Sequence, residues 1–321
     1  MKLLGNWLII GFVAAGLQSQ SVSASPWPER IVRILVPSAA GSSVDLAARV
    51  FAEGLAQRWE RPVVVENRAG ADGILAVQSL LQAGDGHTLL LAFPGIVTVV
   101  PLLHERVPYD PIKDIVPISS VAYDFLAITA AATLSVGSLD ALVATARARP
   151  GQLNWAAPPG APYLTFLAFQ RRTGIQLTYV PFRSSSLAMP DLIRGEIHVA
   201  VTPLLSALPL ARDGKLNLLA VSTLRRSLAV PDIPTATEAG HPELTVEAPL
   251  GLFGPKGMSL ELRTRIASDV AAIATEPAIL KRLEEAGMLA QATTPEEYAD
   301  VLAEQRTHWA SLVRLYGAHP R

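Results

Sequence analysis

The sequence predicts an α/β fold of two lobes with a ligand cleft between them. Its 321 residues exceed what one ordinary core needs, which favours two lobes. Half of the residues are hydrophobic and 17% are charged, a composition that suits parallel sheets covered by helices. Short apolar runs also alternate with amphipathic ones. Ligands of such sheets bind beyond the carboxyl ends of the strands, so the cleft is the expected site.

The first unit reads VRILVPSAAGSSVD over residues 32–45. The apolar run 32–36 predicts a buried strand that Pro37 ends, and small residues follow before an amphipathic helix. Ser42 and Asp45 fit a capping box, which leaves the first helical N–H groups facing the loop. A carboxylate or phosphate suits this position. The alternative interpretation is a helix that is merely well capped.

Two more units complete a βαβαβ pattern, and a boundary between lobes is predicted near residue 124. Pro94, Gly95 and Pro101 interrupt the apolar stretch 89–103, which predicts strand, loop and helix rather than a membrane span. The elements are strand 62–65, helix 74–83, strand 88–93, and apolar stretches at 115–121 and 125–129.

A second α/β unit follows, and the last part of the chain is predicted to be helical. Ser138 and Thr294 are predicted helix caps, and the apolar stripe after Pro295 indicates packing. The chain returns to the first lobe either in the connection after residue 222 or at 250–253. The second unit comprises helix 138–149, strand 153–157, helix 164–172, strand 176–180, helix 186–194, strand 197–201 and strand 218–222.

The N-terminus predicts export. Lys2, an apolar stretch over 8–17 and the small residues ending at Ala24 form a secretory signal, shorter than the ~20 residues of a bilayer span. We therefore expect a periplasmic protein. Its predicted division is a signal peptide over 1–24, a first lobe over 25–124 and 229–321, and a second lobe over 125–228.

Composition and motifs argue against several functions. The chain has no cysteine, and 27 basic against 28 acidic residues give no electrostatic basis for nucleic-acid binding. Six scattered histidines lack metal-ligand spacing, and no GxSxG, Walker A or GxGxxG motif occurs. We expect no enzyme, cofactor or metal. Serines 184–186 are interpreted as helix caps, and the alternative is a secreted α/β hydrolase with Ser184 or Ser185 as nucleophile.

The chain resembles the substrate-binding proteins of tripartite tricarboxylate transporters, also called Bug receptors. The segments that carry the likeness are PERIVRILVPSAAGSSVDLAARV, RPVVVENRAGADG, DGHTLLLAF, VPYDPIKDIVPIS, RPGQLNW, YVPFRSSS, SALPLARDGKLNLLAVST, VPDIPTATEAG and GLFGPKG. They cover essentially the whole chain after the signal. The resemblance implies a type II periplasmic-binding-protein fold whose lobes close on a small carboxylate.

The resemblance also implies a ligand site. In the first lobe it comprises Ser38, Ala39, Ala40, Gly41, Ser42, Ser43, Asp45, Phe93, Pro94 and Gly95. In the second lobe it comprises Gly160, Ala161, Tyr163, Arg183, Ser184 and Thr202.

The chain departs from the family pattern at residues 157–163, APPGAPY, where a Ser/Gly/Thr-rich run is usual. Prolines have no N–H to donate, so binding of a second carboxylate is disfavoured. Thr202-Pro203 replaces a usual Asp-Asn pair, and Pro249 replaces an aromatic residue. The hypothesis is a ligand with one carboxylate on the first-lobe loop and an apolar tail facing Phe93, Pro94, Ala161 and Tyr163. Arg183 is either a counter-charge or a solvated side chain.

The expected partners are a small carboxylate and a membrane permease. A sensor kinase is the alternative partner, in a signalling receptor of the same fold. A family member that binds nothing is a further alternative, given the proline-rich loop. We expect a monomer.

Overall fold

The computed structural model describes residues 27–158, 160–182, 185–246 and 249–316, so the predicted signal peptide lies outside the described residues. The strands are β1 Val32–Val36, β2 Val63–Asn67, β3 Thr88–Ala92, β4 Ile115–Asp124, β5 Leu126–Ala131, β6 Asn154–Ala156, β7 Thr178–Tyr179, β8 Val199–Pro203, β9 Leu216–Val221, β10 Pro249–Pro255 and β11 Met288–Ala290. The helices are α1 Ser43–Trp59, α2 Ile74–Ala83, α3 Gly95–Thr98, α4 Val100–Leu103, α5 Leu139–Ala148, α6 Ala161–Thr173, α7 Ser185–Arg194, α8 Leu204–Arg212, α9 Leu260–Ala274, α10 Pro277–Glu285 and α11 Pro295–Tyr316. Short 3₁₀ turns lie at Ala71–Gly73, Ala132–Leu134 and Pro242–Leu244.

The strands form two sheets. The first has the order β11-β4-β10-β3-β1-β2, with β1 parallel to both β2 and β3. The second has the order β7-β6-β8-β5-β9, with β6 parallel to β7 and β8. Only Phe125 separates β4 of the first sheet from β5 of the second. The predicted α/β fold with two units is confirmed.

Helices cover both faces of the first sheet. Ile34 and Leu89 face a core with Phe51 of α1 and Val270 of α9. Residues of opposite orientation on the same strands face a second core with α2 and α11, including Leu35, Leu90, Leu80 and Tyr298. Burial on both faces is why β1 and β3 are almost continuously hydrophobic.

The second sheet has its own core, built around Trp155, Phe166 and Phe169. Ala236, Leu244 and Val246 belong to this core, although the predicted division assigned residues 229–246 to the first lobe. Their apolar side chains are buried against the second sheet, and β10 is the element that rejoins the first. The division into lobes stays a proposal, and this packing favours a return after Val246.

Helix α11 packs against both units. Trp309 is buried in a cluster with Val99, which follows α3, and with Leu164 of α6. The predicted packing role of the C-terminal stripe is confirmed, because Tyr298 and Leu302 are buried as well. Thr294 caps this helix reciprocally with Glu297. In the part of the chain that the structure describes, no helix combines the length and apolar character of a membrane span.

Candidate functional site

The loop between β1 and α1 turns sharply at Gly41. Gly41 has φ +80°, a left-handed conformation that glycine adopts without the steric cost of a Cβ. Ala39, Ala40 and Gly41 are exposed. The predicted cap is confirmed, because the Ser42 Oγ accepts a hydrogen bond from the Asp45 amide at 3.2 Å. The loop thus presents backbone to solvent directly before a helix.

Asp45 holds this loop in shape. Its side chain accepts from the Gly41 amide at 2.9 Å, rather than from the Ser42 amide that a capping box predicts. The φ of Gly41 turns its own N–H towards the helix, so the prediction was one residue off. Arg49 donates to both carboxylate oxygens, at 3.0 and 2.9 Å, and Asn67 donates to Oδ1 at 2.9 Å. Asn67 also donates to the Ser38 carbonyl at 3.0 Å, which joins the end of β2 to the loop.

This network keeps Asp45 ionised and electrically balanced. Burial alone raises the pKa of Asp45, but hydrogen bonds from Arg49, Gly41 and Asn67 outweigh burial and hold its pKa below the usual value. Its charge is countered by Arg49. The Gly41 amide is therefore not a free donor, and Asp45 acts on the loop itself. Direct contact of Asp45 with a ligand stays a prediction.

Other amides of the same turn remain open. Among the described residues, the amides of Ala40, Ser43 and Val44 have no hydrogen-bond acceptor. They lie at the positive end of α1, a helix of 17 residues. Amides at a helix N-terminus form an anion site. The arrangement suits a carboxylate held by backbone rather than by a cationic side chain.

The loop after β3 adds an apolar wall. β1 and β3 are parallel neighbours, so their carboxyl ends lie at the same edge of the sheet. Phe93 packs against the cores of both units, and Gly95 begins α3. The Pro94 carbonyl accepts from Val97 and Thr98 amides and is occupied by its own helix. This loop offers surface and shape rather than charge.

The second unit presents Gly160, Ala161 and Tyr163 at the start of α6. Gly160 has φ +98° and lies against Val99, with 3.6 Å between the position of a Cβ and Val99 Cγ1. The Tyr163 ring stacks on Trp155 with centroids 5.6 Å apart. Ala161 packs in the same cluster as Val99. The two units therefore meet through apolar contacts at this loop.

Thr202 lies at a small cavity in the second unit. Thr202 lies near the carboxyl end of β8 and is 1% exposed. Its Oγ1 has no hydrogen-bond partner among the described residues. The cavity of about 10 Å³ has room for one water. Its lining is Ala156, Ala157, Pro158, Phe182, Ala188, Ala200, Val201 and Thr202. Thr202 thus supplies a polar group inside an otherwise apolar wall.

A short chain of contacts joins the halves of the site. The Ser43 Oγ donates to the buried Asp124 carboxylate, and the next residue, Phe125, accepts from the Leu204 amide at 2.7 Å. Leu204 lies two residues after Thr202, so these contacts connect the first loop to the Thr202 region.

Sequence reasoning missed Arg49, Asn67 and Asp124 as parts of the site. The available signal was a charged residue at 124 between two apolar runs.

Two predicted site residues, Arg183 and Ser184, lie outside the described residues. The remaining first-lobe residues fall in two loops at one sheet edge, where the carboxyl ends of the parallel strands β1 and β3 lie. Gly160, Ala161 and Tyr163 form one further group, and Thr202 forms another with Pro158. Their contact with a ligand stays a prediction.

Comparisons with known proteins support one family. A model of the "Tripartite tricarboxylate transporter family receptor" (TctC) matches residues 47–317. BugT from Bordetella pertussis is 32% identical over 315 residues, which cover 97% of both proteins. The structure of R. palustris Rpa4515 with adipate is 27% identical, with a TM-score of 0.86 and coverage of 92% of this chain and 100% of that one.

A third comparison is the structure of MatC from Rhodopseudomonas palustris with bound malate. It is 27% identical, with a TM-score of 0.80 and coverage of 89% of this chain and 100% of that one. The likeness in sequence and in fold extends over most of the chain. The chain therefore belongs to the tripartite tricarboxylate transporter receptor family.

Proposed function

We propose that this protein is a periplasmic receptor that binds a small monocarboxylate with an apolar tail and delivers it to a tripartite tricarboxylate-type membrane transporter. The observation that carries the proposal is the turn at Ala39–Ser43, where open amides at the start of α1 are placed to receive an anion. Adipate and malate in the structures of Rpa4515 and MatC support a carboxylate as the ligand class. Residues 1–24 direct export, and the receptor acts as a monomer.

The preference for one carboxylate rests on the second unit. Pro158 and Pro162 have no N–H, and Thr202 contributes one hydroxyl. Losing two charge-assisted hydrogen bonds of roughly 1.5–3 kcal/mol each weakens a dicarboxylate by about two to four orders of magnitude. Phe93 and Ala161 offer apolar contacts in their place.

Binding closes the two units on the ligand. The first lobe comprises 25–124 and the part of the chain after Val246, and the second lobe lies between them. Closure excludes water from the site and strengthens the remaining polar contacts. The closed form is the state that docks on the permease.

A ligand panel tests the proposal. The chain from Ser25 onward is heated with hexanoate, benzoate, adipate, malate and citrate, because a ligand at a hundred times its Kd stabilises the fold by about 2.7 kcal/mol. Hexanoate or benzoate is expected to raise Tm most. Tight binding of citrate or malate with no effect of either monocarboxylate contradicts the proposal.

A further inference from the structure

Asp124 is a buried carboxyl group next to the proposed anion site. It is the last residue of β4 and is 0% exposed. One oxygen accepts a hydrogen bond from the hydroxyl of Ser43, the first residue of α1. The other oxygen has no partner among the described residues. An unpaired oxygen of this kind is costly when the group is ionised, because water is excluded and no donor replaces it.

The elements around Asp124 offer it no cation within the described part of the chain. Helix α1 carries Asp45 and Arg49, which pair with each other, and β4 carries Tyr123. The strand opposite, β11, places Met288 beside it, and α8 begins with two leucines. The acidic side chains at the end of α10, Glu284 and Glu285, are exposed. No charged side chain of the described residues shifts the pKa of Asp124, so a negative charge there is stabilised by the hydrogen bond from Ser43 alone among them.

The same helix end cannot stabilise two anions equally well. A carboxylate bound to the open amides of Ser43 and Val44 lies next to Ser43, whose hydroxyl donates to Asp124. Two carboxylates close together in a site of low dielectric repel each other. Because of this repulsion, the pKa of one of them rises and it takes up a proton. A neutral Asp124 removes the repulsion and keeps its bond with the Ser43 hydroxyl.

We propose that Asp124 is a proton-binding group of the ligand site, so that the receptor takes up a proton as it captures a carboxylate. This inference rests on the proposed function and extends it. The site then recognises a carboxylate together with one proton, and Asp124 acts as a positioning residue that does not touch the ligand.

The direction of the pH dependence follows from the burial of the group. Burial raises the pKa of Asp124 to about 7, and the hydrogen bond from Ser43 only partly opposes this. Below this pH the group is neutral with or without ligand, so affinity is high and constant. Above it, the free protein is ionised and binding requires proton uptake. Affinity then falls by up to tenfold for each pH unit until the pKa of the bound form is passed.

Calorimetric titration of the wild-type protein tests the proposal. Hexanoate and adipate serve as probes at about pH 6, 7.5 and 8.5, in pairs of buffers with different ionisation enthalpies. Both acids are almost entirely ionised above about pH 6, so a proton released by the buffer on binding is taken up by the protein and not by the ligand. We expect little uptake at the lowest pH, a substantial fraction of one proton per ligand at the highest, and a roughly tenfold or greater loss of affinity between them.

Asp124→Asn supplies the matched variant, because its amide resembles the neutral acid and can still bond Ser43. The variant should bind hexanoate and adipate at every pH as tightly as the wild-type protein does near about pH 6. Its affinity should not depend on pH through residue 124. Asp213→Asn, which removes an exposed acid in the turn after α8, should keep the wild-type slope.

Three results overturn the proposal, and they are distinguishable. Binding without proton uptake at about pH 8.5 removes the role of Asp124 and leaves the proposed function standing. An unchanged pH slope in Asp124→Asn assigns the proton to another group. If no acid binds at about pH 6, where a neutral Asp124 favours binding, the proposed function itself fails. Should the variant not fold, the proton count of the wild-type protein decides alone.

Discussion

The two loops that face the proposed cleft differ in how they are built. In the first unit, Gly41 is fixed by Asp45, Arg49 and Asn67, and open amides lie beside it. In the second unit, Pro158 and Gly160 border a wall of apolar and aromatic side chains. One loop is a pre-shaped polar turn, and the other is a surface with few donors.

This difference indicates a division of tasks. Charge is recognised where backbone donors are held in place before the ligand arrives, which lowers the entropic cost of binding. Shape is recognised where Phe93 and Ala161 provide apolar contact area. A substitution in the first loop should therefore change affinity for every carboxylate. A substitution in the second should change which carboxylate is preferred.

The largest effect is expected from Asp45→Ala, which removes the centre of the first-loop network. Arg49 and the Gly41 amide lose their acceptor, so the free energy of unfolding should fall by about 3 kcal/mol and carboxylate binding should be lost. Urea unfolding and titration with hexanoate measure both effects. Glu53→Ala on the same helix breaks only an exposed pair with Arg282 and should change stability by less than about 0.5 kcal/mol. Equal unfolding midpoints for the two variants would contradict the network.

Pro158→Ser tests the second loop by restoring an N–H and a hydroxyl. One new charge-assisted hydrogen bond of about 1.5–3 kcal/mol should improve adipate binding about tenfold to a hundredfold, while hexanoate binding stays unchanged. Isothermal titration of both acids gives the ratio. Pro158→Ala separates the backbone donor from the hydroxyl. An equal gain for both acids would show that this wall does not select between them.

Gly41→Ala tests the shape of the first turn without touching a polar side chain. The position has open space but φ +80°, so a Cβ should cost about 1–2 kcal/mol and weaken hexanoate and adipate alike. Gly95→Ala in the neighbouring loop, where φ is not positive, should leave stability unchanged or higher. Thermal and urea unfolding compare the two. A neutral Gly41→Ala variant would mean that the turn relaxes readily.

The smallest effect concerns the hydroxyl of Thr202 in the second wall. Thr202 Oγ1 has no partner among the described residues, so Thr202→Val should raise the free energy of unfolding by up to about 1 kcal/mol. Thr129 is equally buried, but its Oγ1 donates to the Ala200 carbonyl at 2.9 Å. Thr129→Val should therefore lower stability by about 1 kcal/mol. If both variants are destabilised equally, Thr202 has a partner in solution, such as the single water that its cavity admits.

Sequence reasoning succeeded where the cause is local. Ser42 and Thr294 each bond an amide three residues ahead, and a capping pattern is visible in four consecutive letters. The βαβαβ pattern also indicates parallel strands, and the carboxyl ends of β1 and β3 bring residues 39–43 and 93–95 to one sheet edge. The family resemblance supplied the remaining expectations about the site.

Long-range contacts were not predictable in this way. Asn67 reaches Asp45 across 22 positions and Ser43 reaches Asp124 across 81, and no local pattern encodes either bond. Helix α8 also escaped prediction, because Pro203 and Pro209 interrupt its pattern in sequence. In the structure Pro203 is the N-cap and Pro209 lies inside the helix. The three-residue strand β11 is too short to show a period.

A crystal structure of the protein with hexanoate would show which loop holds the carboxylate. We expect the carboxylate within hydrogen-bond distance of the amides at Ala40, Ser43 and Val44, with the alkyl chain directed towards Phe93 and Ala161. A carboxylate bound at Thr202 and the start of α7, with the first turn contacting only Asp45, would contradict it.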